Sequence, residues 1–173
     1  MQKIRCAYLL LLIGILLTSC EKSNLNYENS FENSYREWLS FKQTSGNSYH
    51  YVVSGGSMFG PAWQTDITVT IGKVTQRHFK YTSATGLENI PAEALEWIEN
   101  EHEINIHTNS GAAALTLDQV YEKARTEWLI KRKDASVYFE AKNNGLISSC
   151  GYVPDGCMDD CFNGINISSV GLL

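Results

Sequence analysis

The chain has 173 residues and carries 19 Asp and Glu against 14 Lys and Arg, for a formal net charge of −5. That acidic excess argues against a nucleic-acid partner and against electrostatic docking onto anionic lipid, because both require a basic surface. The length suits one ordinary domain, and a composition that is 43% hydrophobic is enough to build a single core.

Lys3 and Arg5 open the chain, an unbroken run of apolar and small residues follows from Cys6 to Leu17, and small residues lead into Cys20. That layout is an export signal. The apolar run falls short of the about 20 residues that a membrane-spanning helix needs. Its ending, Leu17-Thr18-Ser19-Cys20, resembles the lipobox of bacterial lipoproteins, which implies cleavage before Cys20 and acylation of its sulfur and amine. On that resemblance residues 1–19 are a signal peptide, and the mature protein is anchored to a bilayer by acyl chains, at about 0.8 kcal/mol per buried CH₂. Glu21 and Lys22 lack the aspartate that some Gram-negative bacteria read as an inner-membrane retention signal, so the outer membrane is the expected place, with the domain extracytoplasmic. Residues 20–30 are polar without an apolar period and read as a flexible tether to a single domain at 31–173.

Phe31, Tyr35, Trp38, Leu39 and the stem of Lys42 show the spacing of an amphipathic helix that ends near Thr44-Ser45-Gly46. Tyr49, Tyr51 and Val53 alternate as a strand that stops at Ser54-Gly55-Gly56, and Ser54 to Ala62 is a glycine-rich loop. Gln64 to Ile71 alternates again, Gly72-Lys73 offers a tight turn, and Val74 to Thr82 returns antiparallel. Pro91 suits the first turn of a short helix with Ala94, Leu95 and Ile98 on one side, and Asn100 to Ala114 reads as a surface excursion. Thr116-Leu117-Asp118-Gln119 is a capping box for a helix whose buried stripe is Leu117, Val120, Tyr121, Ala124 and Trp128. Val137 to Ala141, a turn at Asn143-Asn144-Gly145 and Leu146 to Tyr152 form a hairpin, and Ile165, Ile167 and Val170 close the sheet. The expected fold is α+β, an antiparallel β-sheet of five or six strands packed on one face by two amphipathic helices.

Of five cysteines, Cys6 leaves with the leader and Cys20 is acylated, so Cys150, Cys157 and Cys161 remain in an oxidising compartment. The flanking strands should close the loop, which favours a Cys150–Cys161 disulfide, worth on the order of 3 kcal/mol, with Cys157–Cys161 as the alternative. Asp155, Asp159 and Asp160 offer oxygen ligands, and Asp159, Asn163 and Gly164 match the first, fifth and sixth places of a calcium loop. Cys161 and Val170 stand at the third and twelfth, where oxygen ligands belong, so no cofactor is expected unless Ca²⁺ binds here. Ser57 lacks the second glycine of a nucleophile elbow, and the four histidines are dispersed, so no catalytic set assembles. Phe59 and Trp63 beside the glycine-rich loop either recognise a ligand or fold back over the sheet.

Trp38, Tyr49-x-Tyr51, Thr68-Val69-x-Ile71-Gly72-Lys73-Val74, the run Leu115 to Tyr121 and Gly145-Leu146-Ile147 follow one another in an order that resembles a family of small bacterial envelope lipoproteins called domain of unknown function six-one-seven-four. The resemblance spans most of residues 31–170, with the stretch Leu87 to Ala114 departing from it. It implies location and fold, and it transfers no catalytic residue. The expected function is that of a non-enzymatic accessory or binding lipoprotein, partnered by the bilayer through Cys20 and by an envelope protein or small ligand. The alternative is a metal-dependent domain, calcium-stabilised or hydrolytic, centred on the C-terminal Asp/Cys cluster.

Overall fold

The computed structural model describes residues 24–57, 60–83 and 86–173; the leader, Cys20 and Phe59 lie outside the described residues. The fold is engaged before Phe31, since the Asn26 N–H donates to Leu129 O at 2.7 Å and the Lys131 N–H donates to Asn24 O at 2.9 Å. Part of the stretch expected as tether is therefore tied to the domain. Helix α1 then runs Glu28–Thr44. It buries Phe31, Ser34 and Trp38, while Leu39 turns outward at 45% exposure, one step off the expected stripe.

Three strands follow as a meander: β1 (Tyr49–Gly56), β2 (Ala62–Thr70) and β3 (Lys73–Tyr81). The β2–β3 turn falls at Ile71 and Gly72, both with positive φ, one residue earlier than expected. Thr70 pairs with Lys73 across it, the geometry that a two-residue hairpin loop needs to match strand twist. A single helical turn, α2 (Ala92–Leu95), leads into β4 (Glu96–Asn100), which pairs with β3 where a helix was expected to continue. Ile98 consequently faces solvent at 52% exposure, and Trp97 and Glu99 are the buried residues. Helix α3 (Leu117–Lys123) runs on into a π turn over Ala124–Trp128. Strands β5 (Ala135–Glu140), β6 (Ser149–Pro154) and β7 (Asn163–Leu172) complete the chain. The β5–β6 hairpin turns at Asn144 and Gly145, both at positive φ, as the sequence predicts.

All seven strands join in one antiparallel sheet of order β4-β3-β2-β1-β7-β6-β5, so the α+β class holds with more strands than expected. Tyr49, Tyr51, Ile67, Val69, Ile165 and Ile167 point from its centre into the core. Trp38 of α1 meets Tyr49 edge-on at 5.3 Å and stacks on Tyr121 of α3 at 6.1 Å. The capping box forms: the Gln119 N–H donates to Thr116 Oγ1, and the Thr116 N–H donates back to Gln119 Oε1 at 2.8 Å. Tyr49 adds to it from the sheet, its hydroxyl accepting the Leu117 N–H at 2.8 Å and so satisfying one of the helix's orphan donors. The opposite face of the sheet carries His50, Gln64, Asp66, Gln76, His78 and Lys80, the polar half of the alternation. Two histidines pair there, His78 with Glu96 at 2.6 Å and His50 with Asp66 at 3.4 Å.

One ion pair, Arg77 with Glu99, is buried on the core side of the sheet. Glu99 of β4 is 1% exposed and accepts from Arg77 at 2.8 Å, from the Asn105 N–H at 2.9 Å and from the His107 N–H at 2.6 Å. His107 stacks on Trp97 with centroids 4.2 Å apart, and its Nδ1 lies 3.1 Å from Glu99. Residues 100–114, expected as a surface excursion, are thus strapped to the sheet, by this carboxylate and by the Trp97 indole N–H donating to Ser110 Oγ at 3.1 Å and the Ala112 N–H donating to Thr65 Oγ1 at 2.9 Å. Burial pushes the Glu99 carboxyl up, but the His107 and Asn105 amides, Arg77 and the His107 ring together hold it below the ordinary carboxylate range. Its folded value lies below the unfolded one near 4.5, so its stabilisation is complete above that pH and is lost as pH falls through the folded value. Glu99→Gln should cost about 3–5 kcal/mol in urea denaturation at pH 7, because it strands the Arg77 charge. The variant should also lose less stability than the parent on going from neutral to acid pH.

Candidate functional site

The strand register gathers three connections at one end of the sheet: β1 to β2 after Gly56, β3 to β4 after Tyr81, and β6 to β7 after Pro154. The glycine-rich loop and the cysteine loop, far apart in sequence, are therefore neighbours. What lies between them is set by β1 and β7. Their pairing runs from Tyr49↔Leu172 to Val53↔Ile167, with a bulge between Val52 and Val53, and ends there. Beyond that point β1 continues to Gly56 alongside β2, and β7 starts at Asn163 alongside β6. The two central strands fork.

Ladder geometry says what faces the gap. The Thr82 N–H donates to Ala62 O, so Ala62 faces β3 and its partner Gly56 is turned away from β2. Alternation turns Ser54 the same way. Across the gap the Ile167 N–H donates to Ser148 O on the β6 side, so alternation aims the main-chain groups of Asn166 and Gly164 toward β1. Ser54 and Gly56 thus look across at Gly164 and Asn166 with no ladder between them.

A cleft of about 500 Å³ occupies this fork. Trp63 and Tyr81 line one side and Phe162 the other, with Ser54, Asn166 and Asp160 supplying polar groups. Among the described residues lining it, Asp160 is the one charged side chain. Glycines let rings and neighbouring backbone pack close around it. The Trp63 ring lies where a Gly55 side chain would be, and the Phe162 ring does the same over Gly151. Gly151 and Gly164 are register partners whose backbones leave no room for a Cβ.

The expected site residues divide accordingly. Trp63 folds back, its ring 6.1 Å from Phe79, and still lines the cleft. Asp160 borders the same cleft, whereas Asp155 and Asp159 are exposed on the loop. Among the described residues no three His, Cys, Asp or Glu side chains converge as a metal would require. The favoured Cys150–Cys161 pairing is replaced by the alternative: Cys157 and Cys161 form the disulfide, with Cα atoms 6.3 Å apart. The register explains why. Cys150 sits opposite Ile165, itself four residues past Cys161, with its side chain in the core at 0% exposure and facing away from the loop. Burial pushes its thiol up to about 12.

The fork itself was not read from the sequence, because Gly164 looked like part of a loop and Ser54-Gly55-Gly56 like the end of a strand. The signal present was four glycines, Gly55, Gly56, Gly151 and Gly164, on strands that meet.

No family model matches this chain. No curated protein and no solved structure matches it either.

The disulfide and the core thiol make one direct prediction. Alkylation of the folded protein without reductant should leave Cys150 unmodified, and alkylation after unfolding should label it. Peptide mapping should recover Cys157 linked to Cys161. A Cys150-containing cross-link would contradict the register.

Proposed function

We propose that this chain is an acylated lipoprotein of the bacterial cell envelope, held to a membrane through Cys20, whose domain works by binding and performs no chemistry of its own. The lipobox-like Leu17-Thr18-Ser19-Cys20 and the ordered motifs that resemble domain of unknown function six-one-seven-four support the location. The outer membrane is the side this reading takes, from Glu21 and Lys22.

The observation that carries the binding half is the fork. A cleft at the mouth of a sheet, lined by aromatic rings and by main-chain groups outside any ladder, is the usual form of a recognition site on a rigid scaffold. Its residues are of the wrong kind for acid–base work: Asp160 is exposed and has no histidine or second carboxylate beside it among the described lining residues. The partner on this reading is an envelope protein or a small ligand.

Two measurements test the proposal. Intact mass spectrometry of the protein from bacterial membranes should show a chain beginning at residue 20 with acyl mass on Cys20, and Cys20→Ser should leave the leader uncleaved. An unmodified Cys20 in the native product would remove the envelope assignment. Metal analysis of the purified protein should find no stoichiometric ion; a bound calcium lost on Asp159→Ala would replace the binding reading with a metal-dependent one.

A further inference from the structure

The chemistry of the fork narrows what it binds, on the reading of the cleft as a binding site. We propose that its ligand is an extended peptide segment, neutral or basic, that enters as an added strand and pairs by main chain with β1 and β7.

Three observations lead there. First, the cleft is walled by two strand edges, and each edge presents main-chain donors and acceptors at a two-residue repeat: Ser54 and Gly56 on β1, Gly164 and Asn166 on β7. That spacing matches the repeat of an extended peptide, whose own amides and carbonyls alternate between its two sides. Second, two of the four edge residues lining the cleft are glycines, Gly56 and Gly164, so little side chain of their own stands beside the main chain there. Third, the aromatic rings Trp63, Tyr81 and Phe162 flank the edges and leave the fork itself to backbone, which suits alternate ligand side chains resting on rings.

Charge selects among peptides. Asp160 lines the cleft, Asp155 and Asp159 lie on the same loop, and no described lining residue is cationic. An acidic segment would meet repulsion without a partner, and a lysine or arginine on the ligand would find a carboxylate at the rim.

The test uses the full processed chain in detergent micelles and an array of capped random heptapeptides. Binders should fall among neutral and basic sequences and should shift the amide resonances of Ser54, Gly56, Gly164 and Asn166. Methylating the backbone nitrogens of the best peptide at alternate positions should weaken binding at least about tenfold in either phase, because one phase bonds β1 and the other β7 and each lost main-chain bond is worth about 1 kcal/mol. Ser54→Pro removes an N–H aimed at the fork and none from the β2 ladder. It should fold and should weaken the same peptide; if it fails to fold, the N-methyl series still decides. Tolerance of N-methylation in either phase overturns pairing with both edges. If no peptide moves those amides but N-acetylglucosamine oligomers do, the fork is a binding site and the peptide assignment is wrong. If neither moves them, the binding reading falls as well.

Discussion

The seven-stranded sheet is continuous only because β1 and β7 pair along half their length. On one side of that junction stand β2, β3 and β4, on the other β6 and β5, and among the described residues no other strand pairing joins the two halves. The bulge between Val52 and Val53 adds a residue to β7, sharpens the local twist and lets the strands diverge past Ile167. One irregularity in one ladder therefore holds the halves together at the lower end and opens them at the upper end, between two loops that the rest of the topology has already brought side by side.

The core below the junction is stiffened by polar groups with designated partners. Tyr49 caps α3 from the sheet, and Tyr121 reaches back from α3, its hydroxyl 2.8 Å from Ser34 Oγ in α1 and accepting the Ile147 N–H at 3.3 Å. Trp38 and Lys42 of α1 both donate to Asp118 in the first turn of α3, at 3.0 and 2.6 Å. These contacts fix helix to helix and helix to sheet at defined points, so the divergence of β1 from β7 is borne by a rigid base. The Glu99 carboxylate performs the same service for residues 100–114, whose polar sequence has too few apolar residues to hold it against the sheet.

Periodicity made the meander, α1, α3 and the closing hairpin legible, because each has its apolar residues at one spacing and a turn or cap at its end. It failed where a buried position is polar. β4 hides behind Glu99, a residue that no hydrophobic alternation would place inside, and it is buried only because Arg77 and two backbone amides meet it from distant parts of the chain. The disulfide differs from the expected one for a related reason: loop closure suggests joining the loop's ends, but strand register decides which way Cys150 points, and a shift of one residue reverses a side chain. Of the expected recognition residues, Trp63 does reach the cleft. The main-chain groups of Ser54, Gly56, Gly164 and Asn166 were invisible, since a free strand edge is a property of pairing that never forms.

The fork is most directly examined by amide hydrogen exchange on the full chain without ligand. The account predicts that the amides of Ser54, Gly56, Gly164 and Asn166 exchange quickly, while that of Ile167, bonded to β6 at the end of the β1–β7 pairing, is protected with the rest of the core. Protection of all four fork amides to the level of Ile167 would mean that β1 and β7 are zipped to their upper ends, and the cleft would not exist.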